Sequence, residues 1–303
     1  MKIFVTGASG FIGFAVASAL SRAGHEVVGL VRSAEKAKRL AAAEIEPVVG
    51  DMAAPARWRP AARRCTASVH CAAEMSKRFL DLDRGTVRAL LDASKAAGLP
   101  RLFVYTSGVW VLGDTGDGVA DEATAPNPPR LVVKRLETEK IVLAANAGSV
   151  KTVVIRPGCV YGGSGSLTGA WFQGAERDGA APIVGDGMNR WSLVHVDDLA
   201  DLYVRAVESG LGGEVFHATD RSRATVRECA EAASRAAGAR GKVVAVPVAE
   251  AAKAYGGMAE CLAMNQHVDS SKAVRLLRWQ PRHGGFADRA ASYYAAWRAS
   301  QGA

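Results

Sequence analysis

Three glycines spaced three residues apart lie close to the start of the chain, at Gly7, Gly10 and Gly13. The apolar run Ile3-Phe4-Val5 before them is typical of a buried parallel strand, and a helical pattern, Phe14 to Arg22, follows them. The first glycine allows a tight turn, the second lets the backbone approach phosphates, and the third lets the helix pack against the strand. A helix N-terminus there offers free N–H groups to an anion. The spacing therefore predicts binding of a dinucleotide pyrophosphate.

The end of the next predicted strand bears on the choice between the two nicotinamide cofactors. A carboxylate there would bind a ribose 2′-hydroxyl and repel a 2′-phosphate. This chain has Arg32 and Ser33 instead, with Lys36 one turn further on. A guanidinium and a hydroxyl suit a dianionic phosphate, so the sequence favours NADP(H). NAD(H) remains the alternative, in which Arg32 is a solvated loop residue.

The elements that must position these groups alternate along the first half of the chain. After the glycine turn, strands are predicted at 26–31, 45–49, 67–70, 101–105 and 151–155, with helices at 86–97 and 132–147. This alternation indicates an α/β fold of the Rossmann type, a doubly wound parallel sheet. Further on, residues 192–196 are predicted to end a strand, and Asp197 and Asp198 to cap a helix that runs to about Ser209. A short strand is predicted at 243–246.

Several further stretches fit one family when taken together. They are Gly50-Asp51-Met52, His70-Cys71-Ala72-Ala73, Tyr105-Thr106-Ser107-Gly108, Arg156-Pro157-Gly158 and Val194-His195-Val196-Asp197-Asp198-Leu199-Ala200. With the glycine turn, they resemble the short-chain dehydrogenase/reductase superfamily. The extended or atypical branch, often labelled NAD-dependent epimerase/dehydratase, is the most similar. The resemblance covers nearly the whole chain. Because this fold supports many different reactions, the fold alone does not identify the reaction of this protein.

The resemblance implies two domains within the 303 residues. Residues 1–158 plus 188–218 would form the dinucleotide-binding domain, and 159–187 plus 219–303 a smaller, mainly C-terminal lobe for a small-molecule substrate. Trp110 and Arg190 would contact that substrate. The implied cofactor contacts are Gly7, Ser9, Gly10, Phe11, Ile12, Gly13, Arg32, Ser33, Asp51, Met52, Cys71, Ala72, Ala73, Thr106, Arg135, Pro157 and Gly158.

The usual catalytic pattern of the family is missing from this sequence. Its members use a Tyr-x-x-x-Lys pair on one helix face, where the ammonium lowers the phenol pKa for proton transfer. Alignment by the later part of the helix at 132–147 puts Leu131 at the tyrosine position and Arg135 at the lysine position. Gly108 takes the place of the assisting serine or threonine. Leucine donates no proton, and arginine stays protonated and is a poor acid.

Three residues are candidate substitutes for the missing groups. Ser107 ends the fifth predicted strand and could hydrogen-bond a substrate oxygen, although a turn serine is the plain alternative. Lys134 could be a displaced acid, or a solvated helix residue. Tyr161 faces the cleft in the family layout, or packs in the core. Cys159 lacks an activating partner, and His195 is expected to satisfy local hydrogen bonds.

These observations favour an NADP(H)-dependent reductase of a small organic molecule. Hydride transfer to a conjugated alkene or an iminium needs less help from an acid than ketone reduction, so the missing tyrosine favours such substrates. One alternative is a non-redox isomerase, cyclase or dehydratase on the same scaffold. The other is a catalytically inactive NADP(H)-binding regulator.

Bulk properties exclude several other classes. The net charge of +8 could attract nucleic acid, but no aromatic-interleaved basic stripe accompanies it, so no nucleic-acid partner is expected. The five cysteines have no metal-ligand spacing, which predicts a reduced cytoplasmic protein without a metal site. No apolar run is long enough to span a membrane. By resemblance, a homodimer would use the helices predicted at 86–97 and 132–147.

Overall fold

The structure is a computed structural model that describes residues 1–74, 78–95, 100–165 and 167–302. Its strands are β1 (Lys2–Thr6), β2 (Glu26–Val31), β3 (Glu46–Val49), β4 (Ala67–His70), β5 (Arg101–Thr106), β6 (Val150–Pro157), β7 (Cys159–Tyr161), β8 (Ala181–Val184), β9 (Leu193–His195), β10 (Glu214–Ala218) and β11 (Val243–Val246). Its α-helices are α1 (Phe11–Arg22), α2 (Ala34–Ala41), α3 (Pro55–Arg63), α4 (Phe79–Lys95), α5 (Val133–Ala144), α6 (Gly169–Asp178), α7 (Val196–Glu208), α8 (Val226–Ala236), α9 (Val248–Tyr255), α10 (Met258–Ala263), α11 (Ser271–Leu277) and α12 (Ala290–Gln301). Short 3₁₀ helices lie at Val109–Leu112, Arg130–Val132 and Phe286–Arg289.

Seven strands form one parallel sheet in the order β10-β6-β5-β4-β1-β2-β3. The chain winds outward in one direction through β2 and β3, and in the other through β4, β5 and β6. The direction reverses between β1 and β4, where Thr6 pairs with His70. Ligand sites of open α/β sheets lie beyond the strand ends at such a switch point. The predicted doubly wound α/β fold is therefore confirmed.

Both faces of the sheet are covered, as its apolar strands require. Ile3 and Val5 point into a core with α1 and α7, and the intervening Phe4 points into the opposite core with Trp58 of α3. A third core lies outside the sheet and is rich in aromatic side chains, among them Trp171 and Phe286. Most of this third core comes from 159–184 and 226–293, segments that the sequence assigns to the smaller lobe.

Two helix boundaries differ from the sequence-based prediction for identifiable reasons. Asp197 and Asp198 do not cap α7: the N-cap residue is His195, whose side chain accepts a hydrogen bond from the Asp197 backbone N–H. Both aspartates lie in the first helical turn, where a carboxylate also suits the helix dipole. Helix α4 begins at Phe79 rather than near Thr86, because its packing outweighs the low helix propensity of Gly85. Its predicted end at Ala97 lies outside the described residues.

No helix in the described part of the chain has the length and apolar character needed to cross a membrane.

Candidate functional site

The glycine turn between β1 and α1 is built on close backbone contacts. Gly7 has φ +71°, and a Cβ placed on it would lie 2.7 Å from the Cα atom of Ala72. A Cβ on Gly13 would lie 2.1 Å from the Gly7 carbonyl oxygen. The Gly10 N–H donates to that same oxygen at 2.8 Å, so the turn is closed from within. The first N–H groups of α1 remain available to an anion at the switch point.

A groove of about 280 Å³ starts at this turn and runs towards the ends of β2 and β3. It contains most of the residues that the sequence assigns to the cofactor: Gly7, Ser9, Gly10, Phe11, Ile12, Gly13, Arg32, Met52, Cys71, Ala72 and Ala73. Small residues on the wall let a ligand approach the backbone. The groove therefore fits an extended ligand with a pyrophosphate at the glycine turn.

Six of the predicted cofactor residues are not on the groove wall: Arg135, Pro157 and Gly158 line an adjoining cavity, and Ser33, Asp51 and Thr106 line neither. The Ser33 hydroxyl caps α2 by accepting from the Lys36 N–H at 3.3 Å. One carboxylate oxygen of Asp51 accepts from the Ala53 N–H at 2.8 Å, as in an aspartate turn. The Thr106 hydroxyl lies 2.5 Å from the Tyr203 hydroxyl, in the interior.

The second strand ends in cationic side chains. Arg32 and Lys36 both line the groove. The Arg32 side chain is 61% exposed, and its Nη1 lies 3.8 Å from a carboxylate oxygen of Glu74 across the groove. Since an exposed pair at this distance is weak, the guanidinium is available to another anion. Glu74 was not predicted from the sequence, because nothing local shows that it faces Arg32.

A larger cavity of about 840 Å³ adjoins the groove, and the two share Ile12, Ala73 and Glu74. Its remaining wall consists of residues 79–80, 107–111, 131–132, 135, 157–160, 167 and 258. Trp110, a predicted substrate contact, and Pro157 and Gly158, predicted cofactor contacts, are on this wall. Most of the lining side chains are apolar. The cavity has the size of a small-molecule site, and it lies beside the switch point of the sheet, where the topology favours ligand binding.

The structure brings together the three residues that the alignment puts in the catalytic positions. Gly108, Leu131 and Arg135 all line the cavity; Leu131 lies in the 3₁₀ helix Arg130–Val132 and Arg135 in the first turn of α5. Nη1 of Arg135 donates to the Thr106 carbonyl oxygen at 3.0 Å, and the guanidinium lies over the Phe79 ring. Arg135 is thus held in place beside the groove, with further N–H groups free to bind hydroxyls.

Ser107 is the predicted catalytic residue that reaches the cavity. The residue is 7% exposed, and its Oγ is buried without a hydrogen-bond partner. A buried hydroxyl without a partner is costly, which points to a group that a ligand completes. This orphaned oxygen and the glycine cradle are the observations that fit a bound nicotinamide cofactor and a substrate.

The other predicted catalytic and substrate residues lie elsewhere. Tyr161 is fully buried among aromatic rings and its hydroxyl donates to the Gly284 carbonyl oxygen, so it faces the third core and not the cavity. Lys134 is exposed on α5 and off the cavity wall. Arg190 is also off this wall: its Nε donates to the Arg223 carbonyl oxygen. Cys159 lines the cavity, but burial raises the pKa of its thiol to about 12, which makes it a poor nucleophile.

A buried polar network supports the strand ends beneath the groove. His70 contacts the Thr6 hydroxyl at 2.5 Å and a carboxylate oxygen of Asp83 at 3.2 Å. The Tyr105 hydroxyl donates to the other oxygen of Asp83 at 2.8 Å. Burial alone would raise the pKa of Asp83, but the hydrogen bonds from His70 and Tyr105 lower it below its usual value. The network joins β1, β4, β5 and α4, and sequence analysis missed it because its members are far apart in the chain.

One group of side chains in the described residues has metal-ligand types, namely His195, Asp197 and His283. The two imidazole rings are stacked, with centroids 3.6 Å apart and planes at 13°. Lone pairs in parallel rings run side by side and do not converge on one ion. One nitrogen of each ring is already hydrogen-bonded, His195 Nδ1 to the Asp197 N–H and His283 Nδ1 to a carboxylate oxygen of Asp198.

Comparison with known proteins agrees with the class that this topology and groove define, an α/β protein that binds a nucleotide cofactor. A sequence model of the NAD dependent epimerase/dehydratase family matches residues 3–218. An uncharacterised protein of Schizosaccharomyces pombe is 30% identical over 293 residues, which cover 93% of this chain and 96% of the yeast protein. The chain therefore belongs to the NAD-dependent epimerase/dehydratase family.

Two further similarities concern proteins with named activities. The 4-hydroxy-2-methyl-3-oxo-4-farnesyl-3,4-dihydroquinoline-1-oxide ketoreductase of Stigmatella aurantiaca is 29% identical over 271 residues, covering 86% of this chain and 80% of that protein. The dTDP-glucose 4,6-dehydratase DesIV of Streptomyces venezuelae, solved with NAD bound, has a TM-score of 0.85 and 22% identity. The match covers 100% of this chain and 98% of that one, and it supports the fold alone.

Proposed function

We propose that this protein is an NADP(H)-dependent reductase of a small organic molecule, with an active site that lacks the usual Tyr-x-x-x-Lys pair. The observation that carries the proposal is Ser107, which lies on the wall of the cavity that adjoins the glycine-lined groove and whose buried Oγ has no hydrogen-bond partner. The segments 159–187 and 219–303 would form the smaller lobe. They contribute Cys159, Val160, Leu167 and Met258 to the cavity wall.

The chain's own groups fit a dinucleotide along the groove. The N-terminus of α1 would hold the pyrophosphate, and the free N–H groups of Arg135 would hold the ribose next to the cavity. When bound in its reduced form, the nicotinamide supplies a hydride. Arg32 and Lys36 favour the cofactor with a 2′-phosphate, since β2 does not end in a carboxylate.

Ser107 would bind the heteroatom of the group that is reduced. Its hydroxyl can donate to a developing negative charge in an apolar wall, where such a hydrogen bond is stronger than in water. Leu131 at the tyrosine position supplies no proton. For an alkene or ketone acceptor the proton that balances the hydride would come from water or from the substrate, whereas an iminium ion needs none. This arrangement favours acceptors that need little acid assistance, such as conjugated alkenes and iminium ions. The ketoreductase of Stigmatella aurantiaca makes a ketone the third candidate acceptor.

Cofactor binding is the first test. Titrations followed by nicotinamide fluorescence should show tighter binding of NADPH than of NADH. The substitution Arg32→Ala should weaken NADPH binding about 10-fold, since a charged hydrogen bond contributes about 1.5 kcal/mol or more, and should change NADH binding less than twofold. Equal affinities that Arg32→Ala leaves unchanged would contradict the NADP(H) preference.

Turnover is the second test, with a conjugated enone, a cyclic iminium ion and an aryl ketone as acceptors. We expect consumption of NADPH with at least one of them, and a loss of about 10-fold to 100-fold in kcat/KM for Ser107→Ala. Ser18→Ala is the matched control, because Ser18 Oγ is also buried without a partner but lies in α1, off the cavity wall. Conversion without net NADPH consumption would favour a non-redox enzyme, and cofactor binding without any conversion would favour a regulator.

A further inference from the structure

The described part of the cavity wall contains few polar side chains. Among the described lining residues, charge or a hydroxyl is contributed by Glu74, Ser107 and Arg135 alone. Glu74 faces Arg32 on the groove side, at 3.8 Å. Arg135 is bonded to the Thr106 carbonyl oxygen and covers the Phe79 ring. Among the charged and hydroxyl side chains of the described wall, Ser107 is therefore the one without a hydrogen-bond or ionic partner.

Nothing else on the described wall could hold a diphosphate. The Arg190 Nε is hydrogen-bonded to the Arg223 carbonyl oxygen, and Arg190 is absent from the lining. A second polyanion beside the cofactor would therefore lie against Val109, Leu131 and similar side chains. Moving a charged group from water into such surroundings costs several kcal/mol unless it is paired. A nucleotide-linked sugar is thus a poor match for this cavity.

We propose that the cavity binds a mainly apolar molecule that carries no anionic group, contains one or two rings and presents one heteroatom to Ser107. The half-buried Trp110 indole supplies a flat surface for a ring, and Leu131 and Met258 lie on the same wall. The volume of about 840 Å³ suits a molecule of this size. This inference rests on the proposed function for the role of Ser107, but it makes a separate statement about binding.

A neutral fluorescent naphthalene, 6-propionyl-2-(dimethylamino)naphthalene, tests this substrate class. Its emission shifts to the blue in apolar surroundings, so binding is measured without turnover. We expect saturable binding that Leu131→Asp weakens at least fivefold. Leu276→Asp should leave it unchanged, because Leu276 is an equally accessible leucine (48% exposed against 39%) on α11, away from the cavity wall. UDP-glucose at millimolar concentration should not displace the probe.

Each outcome separates the two proposals. Displacement of the probe by UDP-glucose, or equal weakening by both aspartate substitutions, would overturn the apolar substrate class. Binding of NADPH is followed in the same preparations by its own fluorescence. Probe binding without NADPH binding would contradict the reductase proposal and support the apolar substrate class. NADPH binding without probe binding would contradict the apolar substrate class and leave the reductase proposal unaffected.

Discussion

The groove and the cavity adjoin each other but are built in different ways. The start of the groove is set by close backbone contacts in the turn from Gly7 to Gly13, and the rest of its wall comes from residues 30–32, 36, 50, 52 and 71–74. The cavity is assembled from side chains of at least six segments between Ile12 and Met258. Contacts through backbone tolerate no added atom, whereas contacts through side chains can be changed one at a time. The cofactor site is therefore rigidly specified, and the substrate site is open to variation.

The substitution Gly13→Ala should break the groove and has the largest expected effect. A Cβ there would lie 2.1 Å from the Gly7 carbonyl oxygen, so α1 would have to move away from β1. We expect a loss of about 3 kcal/mol or more in the free energy of unfolding and loss of NADPH binding. The measurements are denaturant unfolding and nicotinamide fluorescence.

Gly85→Ala is the control for this substitution. Gly85 lies in α4, and a Cβ there would meet nothing within 4 Å. Replacing a helical glycine by alanine should raise stability by about 0.5–1 kcal/mol. If Gly13→Ala behaved like this control, the close packing of the turn would be refuted.

Acid should affect the cavity side of the molecule before the groove side. His195, 6% exposed in the core behind the cavity, has its pKa lowered from 6.5 to about 4 by burial and by the neighbouring His283. The folded state favours the neutral ring, so this contribution is complete above pH 6.5 and is lost as the pH falls towards 4. At pH 5 the loss is about 2 kcal/mol.

Denaturant unfolding at pH 7.5 and pH 5 measures this loss. His195→Asn keeps an N-cap acceptor for α7 and removes the titrating imidazole. Between these pH values, the free energy of unfolding of this variant should therefore fall by about 2 kcal/mol less than that of the wild type. Asp220, whose pKa burial raises to about 6, acts in the opposite sense in both proteins and cancels from the difference. Parallel pH profiles of the two proteins would show that His195 does not carry the effect.

The substitution Gly108→Ser tests the claim that the cavity wall accepts an added side chain where Gly13 does not. Its expected effect on stability is the smallest among these substitutions. Gly108 has an extended φ of −178°, and the atom closest to an added Cβ is the Pro157 carbonyl oxygen at 3.9 Å. Stability should change by less than about 0.5 kcal/mol. A loss comparable to that of Gly13→Ala, measured by the same unfolding assay, would remove the distinction between the two regions.

The sequence was most informative where function depends on local backbone. The glycine turn, the doubly wound parallel sheet and most groove residues followed from short motifs and from the alternation of strands and helices. The role of Ser33 as a helix cap, the burial of Tyr161 and the position of Arg190 did not follow. These depend on where a side chain points, and partners such as Gly284 and Arg223 are brought near only by the complete fold.

The apolar cavity itself could not be predicted either. Phe79, Leu80 and Met258 have no spacing that marks them as a binding wall, and apolar residues are usually core residues. Leu131 and Arg135 were placed by alignment, and the structure shows them on one wall.

Ile12, Ala73 and Glu74 belong to the groove and to the cavity at once. A molecule in the cavity would therefore also contact the inner end of the groove and whatever is bound there. We expect departure in a fixed sequence, in which the cavity empties first and the cofactor leaves last. The lifetime of the bound cofactor would then increase with the concentration of the compound that occupies the cavity.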